Sequence, residues 1–370
     1  MKKAKMKTPF KPKYLPLESL DWTSLISLIA EANASLARYD GLLESIPDSE
    51  IFLSPLMTQE AVLSSKIEGT QATLEEVLEY EVAPDTMASN KHDDIEEVLN
   101  YRKAMDIAKS ELKERPLCLN LIKGLHSELL DGVRGQYKAR GEFRTSQNWI
   151  GAPGTPMDQA TYIPPSPQFL EEYLDNWEHY CHHEERDKLV QLSIIHAQME
   201  LIHPFLDGNG RIGRILIPLF LWDKKLLRNP VFYISAFFER NRKEYYSKLE
   251  AISEEDAWNP WIEYFLKAII EQAKDNSKKV KDVRSLWEIH RKKVAEVTHS
   301  HFSFQVVDFL FQSPIFTSTL FAAQTKIPKP SVARILKFLV DEEVVVQVQP
   351  AQGRRPALYC FYELLKIIQE

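Results

Sequence analysis

The feature that most constrains the fold of this sequence is a pair of apolar segments that enclose a short polar loop. Residues 189–202 and 212–222 are hydrophobic around most of the circumference that a helix would have. Helices of this kind are buried. The loop between them is therefore anchored at both ends by core helices, which predicts a preorganised polar site.

Helical periodicity dominates from about residue 20 to residue 291, without the alternating strands of a parallel sheet. The sequence therefore predicts a mainly α fold. Residues 144–167 are the exception, because two short extended arms flank a turn rich in proline and glycine. This pattern is typical of a β-hairpin, and a plain surface loop is the alternative.

A different pattern begins after residue 300. Three short helices are predicted at 303–311, 317–325 and 331–341, followed by extended segments at 344–348 and 358–361. This order resembles a winged helix-turn-helix domain, which makes DNA contact a hypothesis. Seven basic and six acidic residues give 301–370 almost no net charge, so a packing or dimerisation module is the alternative.

The third of these helices has two distinct faces. One is an apolar stripe suited to packing on a core, and basic residues lie off that stripe. The stripe consists of Val332, Ile335, Leu336 and Leu339, and the basic residues are Lys329, Arg334 and Lys337.

These patterns predict four regions. They are an N-terminal helical region at 1–99, a helical core at 100–280, a charged linker helix at 281–300 and the C-terminal module at 301–370. The lysine-rich first 13 residues are expected to form a solvated tail.

Composition excludes several classes of protein. The most apolar run, residues 215–222, is too short to span a bilayer, so no membrane role is expected. Cys118, Cys181 and Cys360 form neither a disulfide framework nor a metal-spaced cluster, which favours a reducing cytoplasm. The net charge of −7 argues against general binding of polyanions.

The polar loop lies within residues 203–214, which read His-Pro-Phe-Leu-Asp-Gly-Asn-Gly-Arg-Ile-Gly-Arg. Gly208 and Gly210 allow backbone N–H groups to approach an anion where the next helix begins. Arg211 and Arg214 are three residues apart and share a helix face, which suits the outer phosphates of a nucleotide. The loop therefore has the composition of a phosphate-binding site.

Three further residues of the loop complete this chemistry. Asp207 is its only carboxylate and suits a hard cation such as Mg²⁺ bound to phosphate oxygens. Asn209 offers a neutral donor to a phosphate oxygen. His203 can be neutral at working pH and accept a proton from an attacking hydroxyl.

At these residues the sequence resembles the Fic-domain family. Residues 203–214 match the family signature in every defining position. The resemblance covers roughly residues 100–270 and includes Gly141-Glu-Phe-Arg144, Tyr162-Ile-Pro-Pro165 and Tyr233-Ile-Ser with Tyr245-Tyr246. It implies a helical core that transfers AMP from Mg²⁺-bound ATP, with Mn²⁺ as the alternative metal. The acceptor would be a serine, threonine or tyrosine hydroxyl of a target protein or of the chain itself.

The resemblance also implies roles for individual residues. His203 would be the base, and Asp207 would hold the metal. Asn209 and the loop amides, including those of Gly208 and Gly210, would hold the α-phosphate, while Arg211 and Arg214 would hold the β- and γ-phosphates. Tyr245 would lie by the nucleoside, and the 144–167 hairpin would be the flap on which a target segment docks.

A second segment, residues 58–69, reads as a helix that ends at Gly69, and Thr73 to Glu76 form a capping box that starts the next helix. Glu68 would face the negative end of its helix dipole, where a carboxylate favours a cation. Ser64 lies one turn earlier and could hydrogen-bond that carboxylate. The segment resembles the family's inhibitory helix, which implies that Glu68 pairs with Arg214 and misplaces ATP. A reverse activity that removes AMP is left open.

Two other functions are alternatives. One is a Fic-fold transferase with another donor, which would transfer UMP or a phosphoryl group. The other is a DNA-binding regulator in which the core senses a nucleotide and residues 301–370 bind DNA. A protein partner for 301–370 and a homodimer are further alternatives.

Overall fold

The computed structural model describes residues 8–44, 49–84, 91–152, 154–298, 302–353 and 355–370. Within these ranges the chain is mainly helical with one small antiparallel sheet, which confirms the predicted class. The helices are α1 (Trp22–Glu44), α2 (Ser49–Ile67), α3 (Leu74–Val82), α4 (His92–Glu111), α5 (Leu119–Leu129), α6 (Leu170–Cys181), α7 (Lys188–Ile202), α8 (Asn209–Asp223), α9 (Ser235–Arg240), α10 (Arg242–Glu255), α11 (Trp258–Thr298), α12 (Ser303–Gln312), α13 (Ser318–Thr325), α14 (Lys329–Asp341) and α15 (Tyr362–Gln369). The strands are β1 (Ile315–Thr317), β2 (Val346–Gln349) and β3 (Leu358–Cys360).

The chain divides into two compact units. The first comprises Met1–Ala37 and Asn100–Ala273, and the second comprises Arg38–Leu99 and Lys274–Glu370. Residues 281–298 are not a separate helix, because they continue α11 without a break. The sequence does not reveal that residues 38–99 belong to the same unit as the C-terminus, because that grouping depends on contacts between residues far apart in the chain.

The centre of the first unit is formed by α7 and α8, which pack against each other along their apolar length. Two buried tryptophans fix the neighbouring helices to α7. Trp177 of α6 donates its indole N–H to the carbonyl of Ile195 (2.9 Å), and Trp261 of α11 donates to the carbonyl of Ser193 (2.8 Å). These bonds satisfy the polar atom of each ring inside the core.

The N-terminal segment of the first unit is ordered against α6 and α7. The side-chain amide of Asn176 bonds both backbone groups of Leu15, at 2.8 and 2.9 Å. Gln198 donates to the carbonyl of Lys13 (2.8 Å), and the ammonium of Lys13 pairs with Asp256. The prediction of a solvated tail is therefore wrong for the described part of this segment. Lys2, Lys3, Lys5 and Lys7 lie outside the described residues.

The second unit contains the three-stranded sheet, with strand order β1-β3-β2. Ile315 pairs with Cys360 and Thr317 with Leu358. The predicted helices and extended segments are present as α12, α13, α14, β2 and β3, and the predicted apolar stripe of α14 is buried. The sequence reading missed β1 and α15. Arg354 lies outside the described residues.

The second unit also contains α2 and α3. Helix α2 packs against α12 and α15, and α3 packs against β1. Helix α2 begins at Ser49, earlier than the predicted start at residue 58, and it accommodates Pro55. The predicted capping box is confirmed, because Thr73 and Glu76 bond each other's backbone N–H groups.

Candidate functional site

The polar loop runs from His203 to Gly208 between α7 and α8 of the first unit. His203 ends α7 in the left-handed conformation, with φ 50° and ψ 60°. Gly208 also has a positive φ, 75°, and a Cβ there would lie 3.4 Å from the ring of His126. Glycine satisfies both requirements at this position. A left-handed histidine is uncommon, and such residues concentrate at functional sites.

Arg144 holds the start of this loop. Its backbone N–H donates to the carbonyl of Pro204 (2.9 Å), and its guanidinium donates to the carbonyls of His203 (2.9 Å), Ile202 (3.3 Å) and Pro165 (2.6 Å). The side chain is 2% exposed. Burial lowers the pKa of Arg144 to about 10, so the group stays charged at neutral pH. A single cation therefore fixes the backbone of His203 and of the segment that includes Pro165.

His126 supports the other end of the loop. Its ring stacks on Phe205, with centroids 3.8 Å apart and planes 8° from parallel. Nδ1 accepts a hydrogen bond from the N–H of Gly141 (2.9 Å), so the proton is on Nε2, which donates to the carbonyl of Asp207 (3.0 Å). Burial lowers the pKa of His126 to about 4, which keeps the ring neutral. The sequence reading missed this residue, because it lies on the buried face of α5 like any core position.

The side chain of Asn209 is hydrogen-bonded to the backbone of the loop. Its side-chain oxygen accepts from the N–H of Phe205 (2.8 Å), and its amide nitrogen donates to the carbonyl of Phe205 (2.9 Å). Asn148 donates to the same carbonyl (3.0 Å). The amide predicted to contact a phosphate is thus bonded to the loop backbone, and phosphate contact by Asn209 stays a prediction.

Asp207 presents the carboxylate of the loop, with a side chain that is 29% exposed. One oxygen, Oδ1, accepts from the N–H of Gly208 (2.8 Å) and lies 3.9 Å from Arg211; the other, Oδ2, pairs with Lys138 (2.8 Å). Burial acts to raise the pKa of Asp207, but the hydrogen bond and charge of Lys138 and the charge of Arg211 outweigh it, so the pKa is lowered. The group is therefore an anion at neutral pH.

The carboxylate of Asp207 would fit a magnesium ion whose other ligands are phosphate oxygens and waters. No group of three or more His, Cys, Asp or Glu side chains that could hold a metal occurs among the described residues. A single ionised carboxylate would fit Mg²⁺ together with waters and phosphate oxygens, because Mg²⁺ keeps several waters and commonly uses one or two carboxylates plus phosphate oxygens.

Arg211 and Arg214 lie on the first turns of α8, with exposed fractions of 2% and 1%. The guanidinium of Arg211 lies 3.9 Å from the carboxylate of Asp207, beside the N-terminus of α8, where the helix dipole also favours an anion. Gly213, between them, allows close approach to α7, because a Cβ at this position would lie 2.3 Å from Oε1 of Glu200.

Tyr245 lies in the core of the first unit. Its ring is 1% exposed, and its hydroxyl lies 2.9 Å from Nε2 of His196. Nδ1 of His196 donates to the carbonyl of Gly213 (3.0 Å), so Nε2 accepts from the tyrosine hydroxyl. This burial argues against a direct contact of Tyr245 with a nucleoside, which stays a prediction. The neighbouring Tyr246 is 44% exposed.

The predicted flap, residues 144–167, forms one antiparallel bridge between Ile150 and Tyr162. The backbone groups of these two residues exchange hydrogen bonds of 2.8 and 3.1 Å, and the hydroxyl of Tyr162 donates to the carbonyl of Leu201 at the end of α7 (2.6 Å). Trp149 and Ile150 are 43% and 41% exposed. The segment is a minimal hairpin attached to the helix that carries His203; residue 153 lies outside the described residues.

Two family models match the chain. The model described as Fic/DOC family N-terminal matches residues 26–109, and the model described as Fic/DOC family matches residues 116–221, which include the polar loop. The chain belongs to the Fic/DOC family.

Similar proteins are known from Drosophila, Desulfovibrio desulfuricans and C. elegans. The protein adenylyltransferase Fic of Drosophila grimshawi is 28% identical over 249 residues, which cover 65% of this chain and 44% of that protein. The chain thus spans less than half the length of the curated relatives it matches. A crystal structure of a Fic family protein from Desulfovibrio desulfuricans has a TM-score of 0.61 at 19% identity and covers 94% of this chain and 98% of that one. The structure of Fic-1 from C. elegans has a TM-score of 0.52 at 18% identity, and the match covers 72% of this chain and 75% of the Fic-1 chain. These structures confirm the Fic fold.

The residues that resemble the Fic inhibitory helix lie in the second unit. Helix α2 ends at Ile67, and Gly69 follows Glu68 with φ 104°. Glu68 is exposed, and Ser64 is completely buried. The turn after the helix is fixed by Thr70, whose hydroxyl donates to the buried carboxylate of Glu97 (2.7 Å). The predicted helix end is therefore confirmed, while the pairing of Glu68 with Arg214 stays a prediction.

Among the described residues, no helix combines the length and the hydrophobicity that crossing a bilayer requires.

Proposed function

We propose that the chain is a protein adenylyltransferase, which transfers AMP from ATP to a hydroxyl side chain and releases pyrophosphate. The observation that carries this proposal is the loop between α7 and α8, which brings an imidazole and a carboxylate to the N-terminus of a helix that bears two arginines. Arg144 and His126 hold this loop from both ends. The naming of the Drosophila relatives as protein adenylyltransferases supports the same activity.

His203 is suited to act as the base. Its Nδ1 lies 3.2 Å from the carbonyl of Glu200. A carbonyl only accepts hydrogen bonds, so in the neutral ring Nδ1 holds the proton and Nε2 has the lone pair. Nε2 can then take the proton of an acceptor hydroxyl.

The reaction is a displacement at the α-phosphorus. The acceptor oxygen forms a bond to this atom, the bond from it to the bridging oxygen breaks, and pyrophosphate leaves with the electron pair. The acceptor proton goes to His203. The N–H of Gly210 is proposed to hold the α-phosphate, whereas the N–H of Gly208 would have to exchange its bond to Oδ1 of Asp207 to do so. Arg211 and Arg214 hold the β- and γ-phosphates, where charge accumulates as the bond breaks.

Asn209 contributes by bonding both backbone groups of Phe205, which keeps the loop and the start of α8 together. The amide nitrogen has a second N–H, which can donate to the α-phosphate while the first stays bonded to the carbonyl of Phe205. Asp207 would hold Mg²⁺, or Mn²⁺ in its place. When bound, the ion neutralises part of the charge on the pyrophosphate.

Glu68 is proposed to inhibit the transfer by pairing with Arg214, which would deny that arginine to the γ-phosphate. Ser64, one helical turn before Glu68, would orient the carboxylate. Glu68 is exposed and directly follows the last residue of α2, where a carboxylate favours a cation. Because α2 packs against α12 and α15, the C-terminal module lies in the same unit as the inhibitory segment.

The target protein is proposed to dock on the hairpin 144–167, where Trp149 and Ile150 are exposed. Its backbone could extend the short antiparallel pairing at Ile150. The chain itself is a second acceptor. The module at 301–370 is proposed to bind a protein or DNA, since Lys329, Arg334 and Lys337 of α14 are exposed.

The test is a labelling experiment with the purified full chain, Mg²⁺ and ATP labelled on either the α- or the γ-phosphorus. Protein that retains the α label but not the γ label, and loses it in His203→Ala, supports AMP transfer. Retention of the γ label would favour a phosphoryl transferase. A stronger signal from α-labelled UTP would favour UMP transfer, and tight DNA binding without labelling would favour the regulator.

A further inference from the structure

A tight turn brings Lys138 to the carboxylate of Asp207. The N–H of Lys138 bonds the carbonyl of Gly135 (2.8 Å), and Gly135 has φ 91°. A Cβ on Gly135 would lie 3.1 Å from Oδ2 of Asp207. Glycine therefore allows the turn to close on this oxygen, and the ammonium of Lys138 reaches it at 2.8 Å.

The two oxygens of Asp207 have different roles. Oδ1 is bonded to the N–H of Gly208 and lies near Arg211. Oδ2 is bonded to Lys138. A metal ion that binds Oδ2 would therefore replace Lys138. We propose that Lys138 is a resident cation that occupies Oδ2 of Asp207 in the nucleotide-free protein and sets how strongly nucleotide binding depends on Mg²⁺. This inference rests on the proposed function.

Lys138 is suited to leave when the nucleotide arrives. Its side chain is 54% exposed, whereas that of Arg211 is 2% exposed. A lysine is flexible and strongly hydrated, and an exposed ion pair contributes little stability, so the ammonium can return to water at small cost. Arg211 cannot leave in this way, because its guanidinium is enclosed. The site thus has one displaceable cation and one fixed cation.

The experiment measures binding rather than activity. The ligand is the ATP analogue with a methylene group between the α- and β-phosphorus, which cannot release pyrophosphate. Its dissociation constant is determined calorimetrically with the full chain, once in Mg²⁺ and once in EDTA. The quantity compared between variants is the ratio of the EDTA value to the Mg²⁺ value.

Lys138→Gln is expected to raise this ratio roughly two- to fivefold, the gain from removing an exposed competing ion pair. Lys138→Arg, which keeps the charge, is expected to retain a ratio near that of the wild type. The matched control is Arg140→Gln, because Arg140 lies in the same segment but pairs with Asp131. It should leave the ratio unchanged.

An unchanged or lower ratio in Lys138→Gln would overturn the inference, and so would an equal rise in Arg140→Gln. Both results leave the proposed function intact, provided that the analogue binds more tightly in Mg²⁺. A wild-type chain that binds the analogue in neither buffer removes the proposed function and this inference with it.

Discussion

The guanidinium of Arg144 donates from Nε to the backbone carbonyl of His203 across 2.9 Å. The same side chain also bonds the carbonyls of Ile202 and Pro165. Since His203 has a left-handed backbone, these bonds hold a conformation that an isolated chain would rarely adopt. The position of the proposed base therefore depends on a residue outside the motif.

Replacing Arg144 with lysine is expected to lower the rate of AMP transfer by about a hundredfold, because a shift of the base by 1 Å can have that effect. Lysine keeps the charge but cannot bond three carbonyls in one plane. The rate is measured at saturating ATP, with circular dichroism as a check on folding. Arg140→Lys is the control. A fully active, folded Arg144→Lys chain would show that the clamp is dispensable.

Two glycine substitutions are expected to have opposite effects on the free energy of unfolding, because only one of the glycines lies where α8 packs closely against α7. Gly213→Ala should destabilise the fold by about 1–3 kcal/mol, because its Cβ would displace the Glu200 side chain and would lie 3.3 Å from the ring of the fully buried His196. Gly124→Ala, in α5, should stabilise it by roughly 0.5–1 kcal/mol, since a Cβ there meets nothing within 4 Å. Urea unfolding monitored by circular dichroism measures both. Equal effects would contradict the close approach.

His196 predicts a loss of stability in acid. Burial, with a smaller contribution from the charge of Arg214, lowers its pKa to about 3, below the usual 6.5. The unfolded chain therefore binds this proton first, and the stability is fully present above pH 6.5 and is lost as the pH falls towards 3. Between pH 6.5 and pH 3, His196 lowers the free energy of unfolding by about 1.4 kcal/mol for each unit by which the pH falls.

The matched variant is His196→Gln, which removes the titrating group. The free energy of unfolding, measured between pH 7 and pH 4.5, should depend less steeply on pH in this variant, by about one proton. The same slope in both chains would mean that His196 is protonated in the folded state.

The local features of the site could be predicted from the sequence. The loop at 203–214, the end of α2 before Gly69 and the capping box at Thr73 depend on residues close together in the chain. The apolar stripe of α14 was equally readable, because its spacing matches the helical repeat.

The supporting contacts could not be predicted in this way. His126 occupies a core position of α5, and only the fold shows that its ring reaches Phe205 and Asp207. Strand β1 has three residues and pairs with β3, more than forty residues later. Tyr245 matched the family pattern, but its burial against His196 depends on how α7 and α10 pack.

Removal of the proposed inhibitory carboxylate should increase transfer. Glu68→Gly is expected to raise the rate by roughly ten- to a hundredfold, because a charged hydrogen bond between Arg214 and a phosphate is worth about 1.5–3 kcal/mol. Lys66→Gln, on the same exposed turn of α2, is the control. The readout is α-label incorporation at several ATP concentrations. Equal rates for Glu68→Gly and the wild type would exclude the inhibitory role.

In the proposed complex, the loop between α7 and α8 binds the phosphates of a nucleotide and leaves the imidazole of His203 beside the α-phosphorus. The most direct measurement is a crystal structure of the Glu68→Gly chain with Mg²⁺ and the non-cleavable ATP analogue. The phosphates are expected at the N-terminus of α8, with Nε2 of His203 within hydrogen-bonding reach of a hydroxyl in line with the α-phosphorus. An analogue bound away from this helix, or an imidazole turned from the α-phosphate, would contradict this arrangement.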